Sequence, residues 1–257
     1  MSLVLGIANQ KGGVGKTTTA KILGTLLAQT GTRVLLVDFD PQANLTEDLK
    51  FDPEALGEAG RTVYKSILRQ AAVADLVLGG NPALVPSSIE LASVEPELIV
   101  NAFIARGTLL RRALEKERTK YHFILIDSQP SLGLLTVNAL AAADAVLIPV
   151  ATQRFSTSGI TQLLRTIDNV RDGLNPDLEV FGILPTKYRQ SLSNRNKHLG
   201  AVTALATQHR IRVFEPVKNA TAFDAQETDG RVAIKPDHPS MQAYFKVAEE
   251  LTNYGQR

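Results

Sequence analysis

Residues 10–18 read QKGGVGKTT, which places three glycines within four positions, then a lysine and two hydroxyl residues. Glycine lets backbone N–H groups close around phosphate oxygens, and a helix opening at the same point adds its positive dipole end. Between an apolar strand and a helix, this pattern reads as a phosphate-binding loop for ATP. Gly12, Gly13, Val14 and Gly15 form the cradle, Lys16 would hold the β- and γ-phosphates, and Thr17 would ligate Mg2+, with Thr18 beside it in the opening turn. The usual spacing GxxxxGK[ST] asks for glycine at position 10, where this chain has Gln10. Lys11, next to it, is a second lysine in a loop already served by Lys16. Its charge has a use if it reaches a phosphate bound by another subunit.

Phosphoryl transfer needs positioning and charge neutralisation, so carboxylates are expected at the ends of strands beside such a loop. VLLVDFDPQAN puts Asp38 at a strand end and Asp40 two residues further, and FILIDSQPS puts Asp127 at the end of a second strand. An unpaired buried charge is costly, so an aspartate closing an apolar strand asks for a cation. Asp38 and Asp127 therefore join Thr17 as metal candidates. Asp40-Pro41 also has the composition of a turn, with Gln42 and Asn44 as braces.

These residues need a frame, and the chain supplies one. Residues 3–8, 33–38, 122–127, 145–150 and 179–184 are short, almost continuously apolar runs. Runs of that kind are strands of a parallel sheet covered on both faces. Residues 16–29, 107–117, 132–143, 158–171 and 194–208 carry apolar positions at three and four spacing, as helices do. The expectation is an α/β fold, a doubly wound, mainly parallel sheet with helices on both faces, in a single domain over 1–257. A last helix is expected over 240–254, capped by Ser240. Residues 46–101 show no period, since Pro53, Pro82, Pro86 and Pro96 interrupt them.

KGGVGKTT resembles the deviant Walker A motif of the ParA/MinD family of P-loop NTPases. The resemblance extends over LVPSSIELA (84–92), SLGLLTVNALAAAD (131–144), GILPTKY (182–188) and PVKNATAFDA (216–225). It implies ATP hydrolysis to ADP and phosphate by a sandwich homodimer, with Lys11 and Lys16 as catalytic lysines. Asp127 is similar to the Walker B carboxylate, and Asp40, the second aspartate of DxDPQ, would orient the attacking water. Lys218-Asn219 stands where many relatives have Arg-Asn near the adenine, which makes Asn219 the base contact. The chain departs from the family pattern at Ser128-Gln129-Pro130, where relatives commonly carry two prolines, and at Asp224, where relatives carry Glu. The first bears on the hydrolysis rate and the second on base contact and dimer geometry.

The absence of cysteine removes disulfides, thiolate zinc sites and iron–sulfur clusters, and with them relatives that couple ATP to electron transfer or metal handling. The longest weakly polar stretch, 139–151, is too short for a membrane span and contains Asp144 and Pro149. A cytoplasmic protein is expected. Net charge is only +2, yet residues 187–218 hold seven Lys/Arg against the single acid Glu215. Cations in the first turn of a helix oppose its dipole, a conflict that a phosphate backbone would remove. Arg189, Arg195, Lys197, Arg210, Arg212 and Lys218 are accordingly the candidate DNA-binding set, for nonspecific double-stranded DNA and with strong salt dependence. The resemblance implies a nucleoid-associated partition ATPase, released when a ParB-like adaptor stimulates hydrolysis. Two alternatives share the motif: a positioning ATPase for a protein cargo, and a MinD-like membrane-associated ATPase. The latter needs an amphipathic basic C-terminal helix, whereas Met241, Tyr244, Phe245, Ala248 and Leu251 read as a core face.

Overall fold

Apolar runs too short for helices, separated by helical repeats, leave a parallel sheet as the way to pair every strand amide away from water. The computed structural model describes residues 2–100, 106–154, 157–188, 194–218, 227–228, 231–232, 238 and 240–255. Its chain order begins β1 (Leu3–Ile7), α1 (Lys16–Gln29), β2 (Val34–Phe39) and α2 (Asn44–Asp48). Three further short helices follow, α3 (Pro53–Glu58), α4 (Val63–Ile67) and α5 (Val73–Leu76), then β3 (Ala83–Val85), a 3-10 turn (Ile89–Ser93) and α6 (Val94–Val100). Next come α7 (Leu109–Leu114), β4 (Phe123–Ser128), α8 (Leu134–Ala142), β5 (Ala145–Ala151), α9 (Thr157–Gly173), β6 (Glu179–Thr186) and α10 (Asn194–Gln208). A small hairpin of β7 (Glu227–Thr228) and β8 (Arg231–Val232) precedes α11 (Gln242–Tyr254).

The main sheet has six strands, all parallel, in the order β3-β2-β4-β1-β5-β6. Alternate residues of each strand feed two cores. Val4, Ile124 and Ile126 face α4, α5, α7, α8 and α9, whereas Leu3, Leu5, Ile7 and Leu125 face α1 and α11. The doubly wound α/β expectation holds, and the five expected strands sit within one residue of their places except at the C-terminal end of β6. The sixth, β3, is three residues long between Pro82 and Pro86, too short for a period to show. The last helix differs from expectation as well. It starts at Gln242 with no side-chain cap, because Met241 and not Ser240 stands at the N-cap position.

Several helices in this frame are capped by residues far away in sequence. The Thr108 side chain makes no cap bond to α7. Buried Asn138 of α8 does it instead, accepting Leu109 N at 2.8 Å and Leu110 N at 3.3 Å on its Oδ1. Its Nδ2 donates to Arg106 O (2.7 Å) and Leu134 O (2.9 Å), so the amide is fully used. Glu95 of α6 similarly accepts Leu135 N (3.3 Å) at the start of α8, against Gly133, where a side chain would collide with the carboxylate. Replacing Asn138 with alanine strands the two buried amides of Leu109 and Leu110, each orphan costing about 1–3 kcal/mol before relaxation. Asn138→Ala should lower unfolding free energy by about 3 kcal/mol with little change in the urea m-value, as read by chemical denaturation.

Candidate nucleotide and metal site

The loop leaving β1 lies at the C-terminal edge of the sheet, where β1 stands between β4 and β5. Open α/β sheets hold their ligands at this edge. Gly13 (φ 67°) and Gly15 (φ 90°) both adopt the left-handed conformation that side chains disfavour. A Cβ on Gly12 or Gly13 would meet nothing within 4 Å, so open space lies over the loop where an anion could sit. Two side chains pin the loop to the strands and a third pins it to α1. Asn9 donates to Pro149 O (2.6 Å) and accepts Lys11 N (3.0 Å). Thr186, closing β6, donates to Val14 O (2.7 Å), and Thr19 donates to Gly15 O (2.6 Å). Pro149 fits inside β5 because β1 pairs with that strand only as far as Leu147, so no ladder bond needs its missing N–H.

Lys16 is buried, with its Nζ folded back onto Lys11 O at 3.3 Å. Burial lowers its pKa, while Asp127 and Asp40 pull it back up. Lys11 is half-buried at the mouth of the loop, Val14 is buried, and Thr17 and Thr18 are half-buried in the first turn of α1.

Asp38 and Asp127 are paired in register on adjacent strands β2 and β4, and both are fully buried. Asp38 is well supplied with donors: Thr46 N (2.8 Å) and Thr46 Oγ1 (2.7 Å) on Oδ2, and Asp40 N (3.3 Å) on Oδ1. Burial nonetheless pushes its carboxyl up to about 7, and the Asp40 charge adds to the rise. Asp127 has no such help. No donor closes on either carboxylate oxygen, although the Thr17 hydroxyl is near enough to favour the charged form. Burial first, and then Asp38, raise its pKa well above the ordinary value. Asp40, nearly buried, begins a turn: its carbonyl accepts Ala43 N (2.9 Å) and its Oδ1 accepts Gln42 N (2.9 Å).

Two acids, Asp40 and Asp127, thus act on Lys16, Asp38 stands beside Asp127, and Asp127 keeps two bare oxygens. Hard oxygen donors of this kind, a hydroxyl and carboxylates, suit magnesium, which retains waters and takes phosphate oxygens as remaining ligands. Among the described residues no group of three or more His, Cys, Asp or Glu could hold a metal ion by itself.

A family model described as an AAA domain matches residues 2–180. The sporulation initiation inhibitor protein Soj of Bacillus subtilis is 44% identical, across 99% of this chain and 100% of that protein. The chromosome partitioning protein ParA of Caulobacter vibrioides is 47% identical, across 96% of this chain and 93% of its own. The chain is a ParA/MinD-family protein of the Soj type. Its fold also matches the solved cobyrinic acid a,c-diamide synthase of Mycobacterium smegmatis with bound ADP and magnesium, at 33% identity and a TM-score of 0.86, covering 100% of this chain and 96% of that one.

In this ParA-type chain the basic residues are only partly brought together. Arg189 and Asn219 lie outside the described residues, as do the side chains of Arg195 and Lys197 in the first turn of α10. Residues 212–218 run along β6, through Ile183 N to Arg212 O (2.8 Å), Phe214 N to Ile183 O (2.9 Å) and Tyr188 N to Val217 O (3.0 Å). This places Arg210, Arg212 and Lys218 on one exposed edge. Arg212 is bound to Glu250 of α11 and lies over the Phe214 ring, 4.8 Å from its centroid. Among the described residues Arg210 and Lys218 show no such partner.

Sequence reasoning did not single out Asn9, Thr46 or Thr186. Thr186 sits inside GILPTKY, and the other two inside the flanks of the glycine loop and of DPQ. Proximity to those motifs was the available signal.

The shift of Asp38 fixes how the empty protein responds to pH. Its folded carboxyl holds its proton to about pH 7, whereas the unfolded chain releases it near 3.8. Stability from this group is therefore complete below about pH 4 and is lost as pH rises through 7, on the order of 4 kcal/mol in all. Melting temperature in EDTA should fall from pH 5 to pH 8, and Mg·ADP should flatten that slope. A nucleotide-free melting temperature that rises over the same interval would refute the assignment.

Proposed function

We propose that this protein is a Mg·ATP-dependent partition ATPase that works as a nucleotide-gated dimer on nonspecific double-stranded DNA. The observation that carries the reading is the cluster of acids under the open glycine loop, where Asp40 and Asp127 act on Lys16 and Asp38 stands in register beside Asp127. A divalent cation and a polyphosphate complete that arrangement together, whereas either alone would unbalance it.

Thr17, Asp127 and Asp38 would hold magnesium, and magnesium bound there would supply neutralisation of phosphate charge. Gly12, Gly13, Val14, Gly15 and Thr18 wrap the phosphates with the loop and the first turn of α1. Lys16 exchanges the Lys11 carbonyl for phosphate oxygens. Asp40, held by its turn at the rim, orients the attacking water in line with the γ-phosphate. Lys11 reaches across to the nucleotide of the paired subunit, which makes ATP the glue of the dimer, and Asn219 contacts the base.

Arg189, Arg195, Lys197, Arg210, Arg212 and Lys218 face DNA in this reading. Two subunits side by side double the number of phosphates reached, which turns weak monomer contacts into useful affinity. A ParB-like adaptor then stimulates hydrolysis and releases the dimer, giving a cytoplasmic, nucleoid-associated protein. The similarity to Soj and ParA supports this cargo over a protein assembly. The membrane alternative loses support from α11, whose Ala243, Tyr244, Val247, Ala248 and Leu251 are buried in the core shared with α1.

Substitutions separate the steps. Lys16→Ala should weaken nucleotide binding by at least about 100-fold in a fluorescent-nucleotide titration. Lys11→Ala should keep ATP affinity within a few-fold yet stay monomeric with ATP in light scattering. Asp40→Ala should lower kcat by about 100-fold or more while an ATP-bound dimer still retains DNA. Normal ATP-driven dimers of Lys11→Ala would refute the cross-subunit role.

DNA affinity should appear only with ATP and fall steeply with salt. For about six to ten phosphate contacts, the log–log slope against salt lies near −5 to −9. Arg210→Ala and Lys218→Ala should each reduce that slope by about two in the dimer, uniformly across DNA sequences. Equal binding with and without ATP in interferometry would overturn the switch.

A further inference from the structure

The helix α2 that follows DPQ has no local reason to exist. It is five residues long, too short to hold itself. Its N-cap position is Ala43, with φ 54° and no side-chain oxygen to offer. The cap comes from Asp38, five residues upstream at the end of β2, whose Oδ2 accepts both Thr46 N at 2.8 Å and Thr46 Oγ1 at 2.7 Å. Thr46 Oγ1 in turn accepts Ser87 N at 3.0 Å, just past β3. Thr46 is fully buried, so each of these bonds is made away from water.

We propose that Thr46 is a positioning residue that clasps Asp38 and thereby fixes the segment carrying Asp40. Its hydroxyl both donates and accepts, which ties α2 to two neighbouring strands of the sheet at once. Asp40 hangs between these anchors. Its amide is bonded to Asp38 Oδ1 and its carbonyl to Ala43 N, next to α2. A displacement of Asp40 relative to the sheet therefore has to break the clasp. Among the described residues Thr46 bonds to nothing in residues 11–18, so its influence on the site runs through Asp38 and Asp40 and not through the phosphate loop. The inference rests on the reading of Asp40, Lys16 and Asp127 as an ATPase site.

Three proteins test it: wild type, Thr46→Val and Thr46→Ser. In Thr46→Val the shape persists, Asp38 loses a donor and Ser87 N is orphaned. We expect kcat to fall by about 10- to 100-fold with nucleotide affinity within about three-fold of wild type, since a small misplacement of a catalytic group costs rate and not binding. Thr46→Ser, which keeps every bond, should recover most of the rate. Hydrogen exchange on nucleotide-free wild type supplies a reading that needs neither activity nor a variant that folds. The Thr46 amide should be protected at least about 100-fold over an unstructured amide, and residues 40–48 should lose protection in Thr46→Val while α1 does not. An unprotected Thr46 amide, a Thr46→Val enzyme with normal kcat, or equal loss of rate in Thr46→Ser would each overturn the clasp. Failure of wild type to hydrolyse ATP with a protected Thr46 amide would instead sink the ATPase reading and leave the clasp standing.

Discussion

The in-register pairing of Asp38 with Asp127 on adjacent strands is the constraint around which the rest of the edge is organised. Neighbouring strands lie about 4.8 Å apart, so two buried carboxylates at matched positions repel each other strongly unless something neutralises them. The protein solves the two halves differently. Asp38 is surrounded by donors from residues that follow it, whereas Asp127 is left bare beside Thr17 and Lys16. One carboxylate thereby also shapes the loop that follows it, and the other is left bare toward a ligand. A buried open carboxylate destabilises the empty fold, and binding relieves it. The same cost that weakens the apo protein becomes affinity for a cation carried by a nucleotide.

Precision at this edge comes from long-range bonds and not from the loops themselves. The glycine loop is exposed and has no core of its own, yet Asn9 reaches β5 and Thr186 reaches back from β6 to Val14. The loop after Asp127 is likewise bounded by Glu95 on Leu135 N. Each of these bonds crosses between elements far apart in sequence, so the site can form only once the sheet has. Flexible segments are thus held at a few points and left free elsewhere, which suits a site that must open to exchange nucleotide.

Legibility in the sequence follows the same division. Strands buried on both faces announce themselves as apolar runs, and long helices by their period, so five strands and most of the principal helices were readable with small errors at their ends. The phosphate loop was readable because its chemistry is local, with glycines, lysine and threonine in one run. Residues 46–101 were not, because α2, α3, α4 and α5 are four to six residues long and β3 only three. The cap of α2 lies outside the helix, on Asp38, so no local pattern marks its start. Thr46 was silent for the same reason: its partners, at positions 38 and 87, meet only in the folded sheet.

The basic edge adds a last step. Residues 212–218 are hydrogen-bonded along β6, and β6 ends in Thr186, the residue that holds Val14 of the glycine loop. The exposed cations Arg210 and Lys218 and the phosphate cradle therefore share one strand as a common support. Arg212, committed to Glu250 and to the face of Phe214, braces that edge against α11 instead of standing free. Two parallel bridges, Ile183 to Val213 and Tyr188 to Lys218, hold the basic segment to that strand and its extension. Leu184 of β6, with Phe214 and Val217 of the basic segment, packs into the core that α1 and α11 share.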